Sequence, residues 1–156
     1  MYNIGQIFQG KYPPDAAVWC NRNGAYIEAV EGGYQIVGIP EPTLDEVKAE
    51  KIASLKADRD RLEVEDIEVD GHLYDYDAKA RERINNAIIA LQASGTSILW
   101  TLANNDSVLV TAQDLVAVVS AVAVRSNTLH IAYRDAKAKV NAAMTAEEVN
   151  AVELEV

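Results

Sequence analysis

Asp66, Glu68 and Asp70 alternate along the stretch EDIEVDGHLYDYD, followed at once by Gly71 and later by Asp77. Counted from Asp66, they take positions one, three and five of a twelve-residue calcium loop, with Gly71 sixth, Leu73 eighth and Asp77 twelfth. Hard carboxylate oxygens at that spacing suit a divalent cation. Three features oppose the site: Ile67 and Val69 would be exposed in such a loop, position twelve lacks a bidentate Glu, and no second loop is present to pair with. The same residues describe a β-hairpin. Ile67 and Val69 alternate with acids as a half-buried strand requires, Asp70-Gly71 suits a two-residue type I′ turn, and His72-Leu73-Tyr74 supplies the return strand. The hairpin is the primary reading, with a calcium-binding helix–loop–helix as the alternative.

The remaining reactive residues lack partners at useful spacing. His72 and His130 lie far apart and fit no metal-ligand or triad pattern, so they read as a turn-adjacent and a helix-surface histidine. Cys20, beside Trp19, reads as packing rather than a nucleophile, because no histidine motif accompanies it. Ser94-Gly95-Thr96 lacks the glycines and lysine of a phosphate loop. Tyr74 and Trp100 read as core or sheet-face residues. Acidic residues are abundant, but abundance does not place two of them for acid–base work. No catalytic, cofactor-binding or metal residue is assigned, and the protein is not expected to be an enzyme.

The formal charge of −10 is concentrated: Pro40 to Asp77 holds 13 acidic and 5 basic residues. Such a surface repels phosphate backbones, and no basic stripe with interleaved aromatics offsets it, which argues against nucleic-acid binding. One cysteine excludes an intrachain disulfide framework. The opening MYNIGQIFQGKY has no signal-peptide pattern, and the uncharged run Leu115 to Val124 is short of the roughly 20 residues that span a bilayer. A cytoplasmic protein without a membrane span is expected.

These residues need a scaffold, and the chain supplies its signals in order. The opening through Phe8 suits a strand or an arm. Pro13-Pro14 then starts a short helix ending before Gly24, with Ala16, Val18, Trp19 and Cys20 on its buried side. AYIEAV and YQIVGI flank Glu31-Gly32-Gly33 as a hairpin. Residues 1–39 thus form a small helix-plus-hairpin module, near the size below which a core rarely stands alone, so it is expected to dock on a further surface. Residues 40–43 form a Pro-rich linker, and 44–156 the main domain.

In that domain, Thr43 and Glu46 form a capping box before a helix from Leu44 to Glu63. Its apolar arc of Leu44, Val47, Ile52, Leu55 and Leu62 is interrupted by Lys48, Lys51 and Arg59. Asp77 caps a central helix with Ala80, Ile84, Ala87, Ile88 and Leu91 on one face, which ends at Ser94-Gly95. Ile98–Ala103 and Val108–Thr111 form a hairpin across Asn104-Asn105-Asp106. Thr111 caps a long helix, with Asp114 in its first turn. Leu115, Val116, Val118, Val119, Val122 and Val124 surround that helix on nearly every side, which predicts a buried central position. Its β-branched content favours a strand, and the Ala-rich continuation to Val140 favours the helix. Thr145 opens a last helical turn packing through Val149 or Val152. The expected fold class is α+β: a helical core of leading, central and long apolar C-terminal helices with two short β-hairpins, plus the N-terminal module.

The charged leading helix, VDGHLYDYDAKARERI, WTLANNDSVLVTAQDLVAVVSAV and the closing MTAEEVNAV occur in an order that resembles a family of small phage and prophage proteins. That family is carried as a domain of unknown function and is commonly encoded beside tail-fibre genes. YPPDAAVWCNRNGAYIEAV is similar to the short leader of some tail-fibre-region proteins. The resemblance implies a tail-fibre assembly accessory protein or chaperone in the host cytoplasm, binding a tail-fibre protein and carrying no catalytic or cofactor residue. The alternative it implies is a virion component, such as a tail or fibre-tip adaptor. A homo-oligomer is compatible with either.

Overall fold

Ile7–Gln9 forms β1 in the computed structural model, which describes residues 1–156; α1 (Pro14–Arg22), β2 (Ala25–Val30) and β3 (Gly33–Gly38) follow. Residues Met1–Thr43 make one compact unit and Leu44–Val156 a second. In the first unit an antiparallel sheet runs in the order β1-β3-β2, with Phe8 opposite Tyr34 and Ile27 opposite Ile36. Close approach of β1 depends on Gly33, where an added Cβ would lie 1.9 Å from the Phe8 carbonyl oxygen. Cys20, Ala25 and Ile36 make the small core, and Tyr2 stands edge-on to Phe8 and Trp19 beside it. The N-terminal segment therefore adds a third strand to the expected hairpin. Val18 departs from expectation: it is 48% exposed, because two residues from both Ala16 and Cys20 it falls on the face of α1 opposite the one they bury.

The second unit is α+β and contains α2 (Leu44–Glu63), β4 (Ile67–Val69), β5 (His72–Tyr74), α3 (Ala78–Ser94), β6 (Ile98–Thr101), β7 (Ser107–Val110), α4 (Ala112–Ala142) and α5 (Ala146–Asn150). The helix signals act as local chemistry dictates. Asp77 accepts a hydrogen bond from the Ala80 amide at 2.7 Å, and Gly95 ends α3 in the left-handed region at φ 68°. Thr111 with Asp114, and Thr145 with Glu148, form complete capping boxes on α4 and α5.

α4 is the spine, about 46 Å long at 1.5 Å per residue. Its first half carries Leu115, Val118 and Val122 into a cluster with Ile84 and Leu91 of α3, Tyr74, Tyr76, Trp100 and Val110. Its second half carries Ala136 and Val140 into a cluster with Leu55 of α2 and Val149 of α5. The basic residues that break the apolar arc of α2 are accommodated there. Lys48 Nζ donates to the Asn141 carbonyl at 2.9 Å and Lys51 Nζ to the Asn150 carbonyl at 3.1 Å, placing cations at two helix C-termini. Arg59 lies over the Tyr133 ring at 4.8 Å.

One expectation fails here. α4 is not enclosed: Val116 is 40% and Val124 69% exposed. Its neighbours α2 and α3 pack against successive halves of the same side, and no helix or strand of this unit covers the other. Apolar composition all round a helix does not provide neighbours all round it.

Candidate functional site

The two hairpins of the second unit lie side by side. In the first, Val69 pairs with His72 and Ile67 with Tyr74 across a turn in which Asp70 (φ 52°) and Gly71 (φ 79°) are both left-handed, as a type I′ turn requires. In the second, Trp100 pairs with Val108 and Leu99 with Leu109. The Leu102 amide donates to the Asp106 carbonyl at 2.8 Å, and Asn104 and Asp106 brace the turn through their side chains. The Ala103 amide donates to the Leu73 carbonyl at 3.0 Å and ties one hairpin to the other.

Between them runs a groove of about 570 Å³, bordered by Glu68, His72, Leu73, Asn104, Asp106 and Ser107 among others. Its border carries the Glu68 and Asp106 carboxylates, the His72 imidazole, the Asn104 amide and the Ser107 hydroxyl. Period-two alternation then divides the second hairpin. Trp100 and Val110 turn into the core, with Arg83 stacked over the Trp100 ring at 4.9 Å, while the cross-strand pair Leu99 and Leu109 turns outward, 71% and 65% exposed. β6 and β7 contain no charge and no proline, and in a two-stranded sheet each keeps one unpaired edge. Unpaired strand edges and exposed apolar side chains are the chemistry by which one sheet accepts a further strand.

The acids of the calcium-like spacing are dispersed by this geometry. Asp66 precedes the β4–β5 ladder, Glu68 borders the groove, Asp70 forms the turn and Asp77 caps α3; no group of three or more ligating side chains converges. Cys20 is buried in the first unit. Ser94 and Thr96 hydroxyls bond each other at 2.8 Å beside the end of α3. Tyr74 is buried, and burial pushes its phenol above its ordinary value, with the Asp114 and Asp70 carboxylates adding to the rise. The Asp114 carboxyl is held below its usual value by the Thr111 amide and hydroxyl.

Sequence reading missed one cluster, which joins the end of α2 to the middle of α4. Glu63 Oε1 accepts from Ser126 Oγ at 2.6 Å and lies 3.0 Å from His130 Nε2. Arg125 donates to the Glu63 and Asp66 carbonyls at 3.0 and 3.2 Å. Arg125 is the one charge in the apolar run from Leu115 to Leu129, a weak signal that it meets something polar. The partner, some sixty residues away, is invisible without the fold.

No curated protein and no solved structure matches this chain. Residues 46–153 match the family model described as Domain of unknown function (DUF4376), a span that takes in both hairpins, the groove between them and the whole of α4. The chain therefore belongs to the DUF4376 family.

Proposed function

We propose that this protein is a phage or prophage tail-fibre assembly accessory protein that acts in the host cytoplasm by binding another polypeptide, without catalysis or a cofactor. One structural observation supports it most: the outward Leu99–Leu109 pair on a hairpin whose strands carry neither charge nor proline. Fibre subunits with long β regions expose strand edges before they assemble, and a short uncharged hairpin can cover such an edge transiently. The sequence resemblance described above supplies the identity of the partner class.

Co-expression with the adjacent tail-fibre protein tests the reading. Soluble trimeric fibre is expected to rise with the wild-type protein and to return to its unassisted level with the Leu99→Ser, Leu109→Ser double variant. Unchanged fibre yield in the presence of the wild-type protein refutes the proposal. Mass spectrometry of purified particles is expected to find the protein absent; a stoichiometric amount would make it a virion component instead.

A further inference from the structure

The side of α4 that the fold leaves bare has an order of its own. Its inner seam descends in steps of three, four and seven residues through Leu115, Val118, Val122, Leu129, Ala136 and Val140, all buried. A second seam repeats the same period on the opposite side. Ala117, Val124, Ile131 and Ala138 stand seven residues apart, with Val124 69% and Ile131 44% exposed, and Ser120 and Asn127 alternate with them. A seven-residue repeat is the period at which one helix meets another in left-handed packing; small residues let the backbones approach, and a single central Asn fixes register. The fold fills the first seam and not the second.

We propose that this outer seam is a homodimer contact, in which the α4 helices of two copies pack against each other. Charge argues for a second copy. A chain of net −10 repels itself over most of its surface, whereas α4 carries four basic residues against two acidic ones and no net negative charge. Two copies meeting through α4 bury an element that carries no net negative charge and keep the acids of Pro40 to Asp77 apart. By length and composition α4 could also cross a bilayer. Ser120 already donates to the Val116 carbonyl at 2.8 Å, but a bilayer would enclose the Asn127 amide in hydrocarbon without a partner, while a facing helix can hydrogen-bond it.

Size sets the strength. The bare face from Val116 to Asn141 runs roughly 39 Å, and two such faces about 10–12 Å wide cover on the order of 900 Å² together, at the small end of specific interfaces. The dimer is therefore weak and concentration-dependent.

Sedimentation equilibrium of the full chain between about 1 and 200 µM is expected to show a monomer–dimer equilibrium that tightens with added salt, as screening relieves like-charge repulsion. Val124→Glu with Ile131→Glu should leave a monomer with an unchanged circular dichroism spectrum. Val124→Ala with Ile131→Ala, which adds no charge, should weaken dimerisation at least tenfold. Leu99→Ser with Leu109→Ser should leave it intact, separating this contact from the proposed fibre surface. A wild-type chain that stays monomeric at 200 µM, a glutamate variant that still dimerises, or flotation of the wild type with neutral phosphatidylcholine vesicles would each overturn the proposal.

Discussion

Replacing Arg125 by Met keeps most of the buried stem and removes the guanidinium, which isolates what that group does between α2 and α4. It donates to the Glu63 carbonyl at the end of α2 and to the Asp66 carbonyl just before β4, and lies 5.9 Å from the Tyr76 ring centre. Two charge-assisted hydrogen bonds contribute roughly 1.5–3 kcal/mol each. Against this, Arg125 Nε is buried without an acceptor, which costs roughly 1–3 kcal/mol. Asp66 is exposed, so its freed carbonyl regains water and the net effect falls towards the lower end. Arg125→Met should therefore destabilise by about 1–2 kcal/mol. Arg125→Ala, which also loses the packing of the stem, should cost about 2–3 kcal/mol. Urea unfolding at neutral pH, followed by far-ultraviolet circular dichroism, reads both. With a slope of about 1–3 kcal/mol per molar, the Met variant should unfold up to roughly 1–2 M earlier and the Ala variant earlier still. A Met variant as stable as the wild type would refute the reasoning, since desolvation of the charge would then cancel its hydrogen bonds.

Further consequences concern the cap of α4 and the sheet of the first unit. Thr111→Ala removes the hydroxyl half of the capping box and should cost about 1 kcal/mol in the same urea assay. Asp114 has a depressed carboxyl, so its stabilising effect is present above the unfolded carboxylate value of about 3.9 and is lost as pH falls through its lower folded value. Asp114→Asn should be less stable than the wild type at neutral pH, and the gap should close as acid is added; a constant gap would show that the ionised carboxylate is not what matters. Gly33→Ala would drive a methyl group to within 1.9 Å of the Phe8 carbonyl oxygen, so β1 should detach while β2 and β3 stay paired. Loss of hydrogen-exchange protection confined to residues 5–10 would show this, and retained protection there would contradict it.

Local chemistry made much of this architecture legible beforehand. Asp77, Thr111 and Thr145 read as caps because a side-chain oxygen next to the first free amides of a helix acts within three residues, and each does so. Asp70-Gly71 read as a reversing turn because few residue pairs tolerate two successive positive φ angles. The two paired strands on either side of that turn were legible from the alternation of Ile67 and Val69 with acids.

What the amino-acid order determined alone, then, was the set of helices and hairpins, because caps, turns and periodicity act over three to seven residues. Tertiary structure decided which faces were used. Val116 and Val124 look as interior as Val118 and Val122 in sequence, but α2 and α3 pack along a single side of α4, so two of the four are buried and two meet solvent. It also decided that Arg125 and Ser126 meet the end of α2, and that Leu99 and Leu109 face outward while Trp100 faces in. Burial depends on which surfaces remain to be covered once every element is placed, and no short window of sequence contains that information.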